Sequence, residues 1–251
     1  MHRFFIDQMA EVGELIYFGV EQGHHVKRVL RLREGAEICA FNGQGWACRA
    51  RLVETAAEET AAVVLEILTD DRESPLRIVV AQGLAKGERM ELVLQKSVEL
   101  GAAGFQPFYS RFSVVELSPE RAAKKCQRWQ SIAREACKQC RRNVVPPVAA
   151  PVVFSQLLER SSGQPTVLLY EQERAQSFKK LLQEKKSEWL GLDQTVHLVV
   201  GPEGGFAVEE LEQARQAGWF CVGLGPRILR TETAGLAALA AIMYEFDAWE
   251  G

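Results

Sequence analysis

The sequence, 251 residues long, has no uninterrupted apolar run close to the ~20 residues that a membrane-spanning helix requires. Its opening stretch, MHRFFIDQMAEVGE, contains no apolar segment of signal-peptide length. Two nucleotide-binding patterns are also missing, because no glycine loop ends in Gly-Lys-Ser/Thr and none reads G-x-G-x-x-G. These absences argue against a membrane protein, a secreted protein and the standard phosphate-binding loops. We therefore expect a cytoplasmic globular protein.

The sequence also lacks the second pair of ligands that a zinc site built on a C-x-x-C motif would need. Cys137 and Cys140 form such a motif late in a segment of helical character, whereas a thioredoxin-like motif is expected to open a helix. The other cysteines are scattered along the chain: Cys39, Cys48, Cys126 and Cys221. We predict reduced, structural thiols and no bound metal.

The chain has no net excess of basic residues, since 30 Lys and Arg stand against 33 Asp and Glu and give a formal charge of −3. The net charge does not indicate nucleic-acid binding, but the distribution of charge along the chain does. Four basic side chains lie close together near the start: Lys27, Arg28, Arg31 and Arg33. From Arg121 to Arg142, eight basic residues accompany one acidic residue, Glu135, which leaves a formal charge of +7. Charged helix faces are usually only solvated, but a face of one sign is less usual and favours phosphate binding.

Short apolar stretches separated by turns fill the first part of the chain and predict a small, mainly antiparallel sheet or barrel. The turn Asn42-Gly43-Gln44-Gly45, between two apolar stretches, is typical of a β-hairpin. The polar segment from Thr69 to Pro75 ends in proline and is the predicted linker. We therefore predict two domains, residues 1–72 and residues 73–251.

After the linker, continuous apolar runs alternate with segments of helical periodicity. The runs LRIVVAQ, PTVLLYE and TVHLVVG predict buried strands, while ERMELVLQKSVELG and the segment from Ser118 to Arg142 predict helices. Strands that alternate with helices are typical of an α/β domain with a mostly parallel sheet. The predicted fold class is therefore α/β, preceded by the smaller β domain.

Two glycine-rich loops follow predicted strands of the second domain. The first is Gly201-Pro202-Glu203-Gly204-Gly205, and the second begins the stretch GLGPRILRTETAG, Gly223 to Gly235. In parallel α/β folds, ligands bind beyond the carboxyl ends of the strands, and glycine lets the backbone approach a ligand. Each loop alone is compatible with a tight strand-to-helix turn. Two such loops together could form two walls of one pocket.

The same loops carry a family resemblance. GPEGGF followed by LGPRILRTETA resembles the 16S ribosomal RNA uracil-N3 methyltransferase family of the SPOUT superfamily. RFF and HHVKRVLRLREG near the start, and KGERMELVLQKSVELG and RWQSIAREACKQCRRNVVP in the centre, are similar to that family in the same order. The resemblance covers nearly the whole chain, and the ordered set is far more specific than any one motif.

This resemblance implies a PUA-like, RNA-binding β-barrel in residues 1–72 and a SPOUT methyltransferase domain with a trefoil knot in residues 73–251. It implies a homodimer that uses S-adenosylmethionine to methylate N3 of a uridine in 16S ribosomal RNA of the small ribosomal subunit. The cofactor carries an activated methyl group, so the enzyme must align it with the nitrogen and exclude water. Because N3 lies on the pairing edge of uracil, the target base must be unpaired or splayed out.

The expected cofactor site combines both glycine loops with the end of a preceding strand. Its predicted residues are Tyr170, Glu171, Val200, Gly201, Pro202, Gly204, Gly205, Leu224, Gly225, Ile228, Leu229 and Thr233. The first loop would line one side of the cofactor, and apolar side chains of the second would surround its adenine. The predicted RNA contacts are Arg3, His25, Lys27, Arg28, Arg31, Arg128 and Arg142.

The catalytic candidates are Arg230 and Glu232. Arg230 could stabilise the developing uracil oxyanion and so ease loss of the N3 proton, and Glu232 could orient it. Glu232 is equally compatible with capping of the following helix near the positive end of the helix dipole. The group that accepts the proton is not identified by the sequence.

Two positions depart from the family pattern. Ala207 stands where the family usually has a Ser or Thr as helix N-cap, and loss of that hydroxyl costs about 1 kcal/mol. Arg141 stands where the family often has glycine, at the end of a long predicted helix.

Two other functions stay open at this point. A non-catalytic RNA-binding factor for ribosome assembly could keep the same fold, although it would not need both glycine loops. A nucleotide-dependent oxidoreductase could use the loops for phosphate and the C-x-x-C for redox chemistry, but both standard phosphate-loop patterns are missing.

Overall fold

The computed structural model describes residues 1–55, 60–69, 72–190 and 195–249. The chain divides into two compact units. The first contains Met1–Glu73 and Cys137–Val145, and the second contains Ser74–Ala136 and Pro146–Gly251. Asp70 and Asp71 of the predicted linker lie outside the described residues. The domain boundary between residues 72 and 73 stays a prediction.

The first unit is built on a five-stranded sheet. Its strands are β1 (Arg3–Phe5), β2 (Leu15–Tyr17), β3 (Glu37–Phe41), β4 (Ala47–Thr55) and β5 (Thr60–Ile67). The order across the sheet is β1-β3-β4-β5-β2, in which β1 pairs parallel with β3 and the other neighbours pair antiparallel. Ile38, Ala50 and Val64 belong to the buried core of this unit. The prediction of a small, mainly antiparallel sheet is confirmed.

The predicted hairpin joins β3 to β4. The side-chain oxygen of Asn42 accepts hydrogen bonds from the backbone N–H groups of Gln44 at 2.8 Å and Trp46 at 3.2 Å. Asn is favoured in such turns because its short side chain can bond the backbone two residues ahead. Local interactions therefore form this turn, which is why the sequence alone could predict it.

A short helix, α1 (Val20–His24), continues into a π-helical turn, His25–Val29. Val26 packs into the core of the first unit, whereas His25, Lys27 and Arg28 are exposed. The basic stretch near the start of the chain is therefore held on a regular element with its charges in solvent.

The second unit is an α/β domain. Its strands are β6 (Arg77–Gly83), β7 (Gly104–Tyr109), β8 (Val152–Val153), β9 (Thr166–Leu169), β10 (Thr195–Val200) and β11 (Phe220–Val222). The helices of this part of the chain are α2 (Arg89–Glu99), α3 (Pro119–Cys140), α4 (Phe154–Arg160), α5 (Phe178–Leu190), α6 (Val208–Gln216) and α7 (Thr231–Glu245). The sheet order is β11-β9-β10-β6-β7-β8, and every pair of neighbours is parallel. The α/β prediction is confirmed.

The strand order brings three carboxyl ends side by side. β9 lies between β11 and β10, and all three run in the same direction. Leu168, Leu198 and Val222 are fully buried, as expected for strands covered on both faces. Both glycine loops therefore leave the sheet from the same edge.

The backbone at the end of α3 shows what one departure from the family pattern involves. Arg141 directly follows the helix with φ of +68°, the left-handed conformation in which a side chain is unfavourable and glycine is preferred. The glycine that the family often has at this position therefore has a backbone reason.

Among the described residues, no helix is both long enough and apolar enough to cross a membrane. The trefoil knot stays a prediction drawn from the resemblance.

Candidate functional site

The two glycine loops line one cavity of about 460 Å³ at the carboxyl ends of β9, β10 and β11. Tyr170 and Glu171 follow β9, the first loop follows β10, and the second loop leads from β11 to α7. All residues that line the cavity belong to the second unit. The volume lies in the range of pockets that hold small organic ligands.

The structure brings nearly all predicted cofactor and catalytic residues to this cavity. Those that line it are Tyr170, Glu171, Val200, Gly201, Pro202, Gly204, Gly205, Leu224, Gly225, Ile228, Leu229, Arg230 and Glu232. Thr233 is not among the lining residues, and its side chain is exposed. The reason is the pitch of α7, because successive side chains of a helix point about 100° apart. Thr231, two residues earlier, lines the cavity in its place.

Thr231 connects the first glycine loop to the start of α7. Its Oγ1 donates a hydrogen bond to the Gly201 carbonyl at 2.5 Å and accepts one from Nε2 of Gln82 at 2.8 Å. Gln82 lies near the end of β6, and both side chains are buried. The first loop is therefore held by side chains from two other elements.

Glu210, buried in the first turn of α6, braces the far end of the same loop. Its carboxylate accepts hydrogen bonds from the backbone N–H groups of Ala207 at 2.8 Å and Arg111 at 2.9 Å. The Ser110 hydroxyl donates to the Gly205 carbonyl at 2.9 Å. The carboxylate half of the helix cap is thus kept although Ala207 has no hydroxyl.

Gly204 is required by a close approach. A Cβ at this position would lie 2.7 Å from the carbonyl oxygen of Phe112, closer than real Cβ atoms come to a backbone atom. Gly205 is required by its backbone, which has φ of +70°, and a Cβ there would meet no atom within 4 Å. The loop is therefore packed against backbone at Gly204, whereas the space in the direction of a Gly205 Cβ is open.

Ionisable side chains of both signs line the cavity. Arg89, the first residue of α2, forms an ion pair with Glu203, and its Nε lies 3.7 Å from Oε1 of Glu232. Glu203 also accepts a hydrogen bond from the backbone N–H of Lys86 at 3.1 Å. Partial burial raises the pKa of Glu203, but backbone N–H groups and the Arg89 guanidinium outweigh burial and hold the pKa below its ordinary value. Glu203 is therefore a carboxylate at neutral pH.

Glu232 is the more enclosed of these two acids, with 15% of its side chain exposed. Its Oε2 is buried and has no hydrogen-bond partner in the part of the chain that the structure describes. Its ion-pair partner is Arg89, and the same described part contains no ion pair between Glu232 and Arg230. A buried carboxylate oxygen without a partner needs a donor from a ligand or a water molecule.

The second glycine loop is largely exposed. Gly225, Pro226 and Arg227 are exposed, and Ile228 is 80% exposed although it lines the cavity. The predicted contact between Ile228 and an adenine ring stays a prediction. Without a ligand, the protein does not bury this side chain.

The basic residues predicted to contact RNA fall into two groups. Four of them are exposed in the first unit: His25, Lys27, Arg28 and Arg31. Arg3 and Arg142 instead have internal partners. Arg3 donates to the Arg142 carbonyl at 2.8 Å, and Arg142 pairs with Glu73 at 2.5 Å with 6% of its side chain exposed. One terminal nitrogen of Arg3 and the guanidinium of Arg142 already bond inside the protein, so a role of these two residues as RNA contacts stays a prediction that their geometry does not support.

Arg128 is exposed but also has a partner. It forms an ion pair with Glu91 of α2 at 2.7 Å. Two positive charges of the segment from Arg121 to Arg142 are thus balanced by acids far away in sequence, one by Glu91 and one by Glu73. The formal charge of +7 overstates the positive field that this segment presents to solvent.

The cysteines give no sign of redox or metal chemistry. Cys137 is fully buried, and burial raises the pKa of its thiol to about 12, so the nucleophilic thiolate is scarce at neutral pH. None of the six cysteines is in a disulfide. The described residues contain no cluster of His, Cys, Asp and Glu that could hold a metal ion. The structure therefore offers no support for an oxidoreductase built on the C-x-x-C.

Sequence reasoning missed several residues that shape the cavity. Arg89 had a local signal, because a cation at a helix N-terminus is unfavourable unless acids compensate it. Gln82 and Ser110 had none, because each contacts residues about 95 positions or more away. Only the tertiary fold brings such partners together.

Comparisons with known proteins can now be set beside this geometry. A family model described as RNA methyltransferase domain matches residues 72–243, and one described as RNA methyltransferase PUA domain matches residues 19–66. The ribosomal RNA small subunit methyltransferase E of Bacillus subtilis is 36% identical to this chain, over 100% of this chain and 99% of its own length.

Solved structures show the same likeness. The crystal structure of a ribosomal RNA small subunit methyltransferase E from Neisseria gonorrhoeae, bound to S-adenosyl methionine, has a TM-score of 0.84 and 36% identity over 97% of each chain. A Legionella pneumophila structure in complex with the same cofactor has a TM-score of 0.86 and 33% identity over 96% of each chain.

Proposed function

The chain belongs to the ribosomal RNA small subunit methyltransferase E family, and from this membership we propose that it transfers a methyl group from S-adenosylmethionine to N3 of a uridine in 16S ribosomal RNA. The observation that carries the proposal is the single cavity lined by both glycine loops, in a fold shared with cofactor-bound relatives. A purely RNA-binding assembly factor would not need this cavity.

The residues of the cavity fit the cofactor. Three arginines and three glutamates line it, so its formal charge is balanced: Arg89, Arg227, Arg230, Glu171, Glu203 and Glu232. Such a lining suits a ligand that carries charges of both signs, as an amino acid joined to a nucleoside does. Leu169, Leu224 and Leu229 add apolar surface for a ring. When bound, the cofactor supplies an electrophilic methyl group.

The protein side of the reaction concerns the proton on N3. Uracil N3 is protonated at neutral pH and forms part of the pairing edge, so the base must be unpaired before it can enter the cavity. Arg230 lines the cavity at the start of α7. In the proposed reaction, it stabilises negative charge on a uracil oxygen as the N3 proton leaves. Glu232 is the nearby carboxylate that can take a hydrogen bond.

RNA binding by the first unit is supported by its exposed basic side chains. His25, Lys27, Arg28 and Arg31 present donors to solvent on one short segment. Phosphate contacts release counterions, so RNA affinity should fall steeply as salt increases. We further propose that the enzyme works in the cytoplasm as a homodimer, for which exposed Tyr244 and Trp249 near the end of α7 offer apolar surface.

Cofactor binding can be tested by titration calorimetry with S-adenosylmethionine. Ala234 lines the cavity from α7, so Ala234→Phe should fill the space and abolish binding while the protein stays folded. Ala123→Phe makes the same change at an exposed position of α3 and should bind like the wild type. Equal affinity of both variants would place the cofactor elsewhere.

Methyl transfer can be tested with small ribosomal subunits that lack the modification. Incubation with labelled cofactor should place one methyl group on 16S RNA, and that group should stop reverse transcription because it blocks the pairing edge. Cofactor and RNA binding without methyl transfer would favour the assembly factor instead.

A further inference from the structure

Arg89 occupies a position that its own helix does not favour. It is the first residue of α2, where the helix dipole presents its positive end and a cation is destabilised. Two acids from other elements compensate it: Glu203, in the first glycine loop, and Glu232, in the first turn of α7. The guanidinium therefore joins three elements at one end of the cavity.

The contact with Glu203 fixes Arg89. Glu203 is itself held by the backbone N–H of Lys86 at 3.1 Å, in the segment between β6 and α2. The order of contacts runs from Lys86 to Glu203, from Glu203 to Arg89, and from Arg89 to Glu232. The position of the guanidinium is thus set by contacts that do not involve Glu232.

Glu232, in contrast, depends on Arg89. Oε1 has Arg89 Nε at 3.7 Å, and Oε2 has no hydrogen-bond partner among the residues that the structure describes. Other charged groups that line the same cavity are Glu171, Arg227 and Arg230, none of which forms an ion pair with Glu232 within that described part. Among the residues that the structure describes, Arg89 is therefore the charged group that forms an ion pair with the Glu232 carboxylate and orients it.

We propose that Arg89 is a positioning residue, which holds the Glu232 carboxylate so that its unused acceptor capacity meets the N3–H of the target uracil. The inference rests on the proposed function and names the proton acceptor that the sequence left open. The electron pair of the N3–H bond stays on nitrogen as the nucleophile, and the proton moves to the Glu232 carboxylate. The nitrogen then carries the methyl group in place of the proton, while the electron pair of the broken carbon–sulfur bond stays on sulfur.

The kinetic test separates positioning from binding. Glu232→Gln should lower the single-turnover rate of methyl transfer about 100-fold or more, as loss of a proton acceptor does. Arg89→Gln should lower it about 10- to 100-fold, Arg89→Lys should recover part of the loss, and the KM for RNA should change less than threefold. The double variant should be little slower than Glu232→Gln alone, because the two residues act as a unit.

Lys96→Gln provides the matched control. Lys96 lies on the same helix but does not line the cavity, and Lys96→Gln removes an ion pair within that helix, with Glu99 at 2.8 Å. This variant should keep the wild-type rate. If Arg89→Gln does not fold, Arg89→Lys alone still tests the inference through its partial rate loss.

A second readout needs no cofactor. If the carboxylate accepts a hydrogen bond from N3–H, the wild type should bind RNA with uridine about tenfold more tightly than RNA with N3-methyluridine at the target, and Arg89→Gln should lose that difference. The inference alone would be overturned if the wild type methylates RNA and Arg89→Gln keeps both the wild-type rate of methyl transfer and the preference for uridine over N3-methyluridine. Failure of the wild type to methylate would overturn the proposed function and the inference together.

Discussion

The two glycine loops line the same cavity, but the protein holds them very differently. The first loop accepts hydrogen bonds from the side chains of Thr231 and Ser110 and is pressed against the backbone of Phe112. It ends at Phe206, whose ring stacks on Phe108 with 6.2 Å between the ring centroids. Contacts within the protein therefore hold the first loop in place.

The second loop is confined only where it begins. A Cβ on Gly223 would clash with the carbonyl oxygen of Glu173, but the stretch from Gly225 to Ile228 is exposed. One cavity thus combines a preformed side with a side that can adapt to its ligand. The first loop, the braced wall of the cavity, already has a fixed conformation in the folded protein, so binding loses little conformational entropy there. The second loop, the exposed wall, can adjust to a large substrate.

The largest expected effect comes from breaking the braced wall at its closest contact. Gly204→Ala would place a Cβ against the Phe112 carbonyl, a backbone atom that cannot move aside cheaply. We expect a loss of about 3 kcal/mol or more in the free energy of unfolding, the upper end of what overpacking costs, because the clash is with backbone. Urea denaturation measures this. An unchanged midpoint would mean that the first loop is not packed as described.

The next effect comes from removing one hydrogen-bonding group behind the same wall. Thr231→Val keeps the shape of the side chain but leaves the Gly201 carbonyl and Nε2 of Gln82 without this partner. The expected loss is about 1–3 kcal/mol, the cost of an unsatisfied buried group. Thr233→Val, at an exposed position of the same helix, is the control and should change stability by less than about 0.5 kcal/mol. If urea denaturation showed the same loss of stability for both variants, the hydrogen bonds of Thr231 would not support the first loop as described.

A smaller effect should depend on pH. The pKa of Glu203 is held below its ordinary value of 4.5, so its contribution to stability is present above that pH and is lost as the pH falls through the folded pKa. Glu203→Gln should therefore be less stable than the wild type at pH 6, and the gap should narrow at pH 3.5. Glu212→Gln, at an exposed position of α6, should show no such narrowing. Denaturation midpoints at both pH values provide the measurement.

The smallest effect on folding is expected in the exposed wall. Ile228→Ala should change the free energy of unfolding by less than about 0.5 kcal/mol, because this side chain is 80% exposed. Its effect should appear instead as weaker binding of cofactor or RNA, measured by calorimetry and anisotropy. A large drop in stability with unchanged binding would mean that the second loop supports the fold and does not contact the ligand.

Much of the site could be predicted because it is contiguous in sequence. Gly201 to Gly205 and Leu224 to Glu232 each form a local segment between a strand and a helix, and the parallel arrangement brings their ends to one edge. The predictions that gain no support concern charge. Arg3 and Arg142 are predicted RNA contacts, but a carboxylate far away in sequence, Glu73, pairs with Arg142 inside the protein.

The α/β alternation, many of the strands and helices, the two glycine loops and the family resemblance could be predicted from the sequence, because periodicity, turn residues and motif order are local properties. The tertiary structure alone decided which loop is braced and which is exposed, and which of the many charges are free. Gln82, Arg89 and Ser110 take part in the site only because parallel strands bring distant loops to the same edge of the sheet. Ion pairs and hydrogen bonds depend on distances between atoms, and the sequence does not contain those distances until the chain has folded.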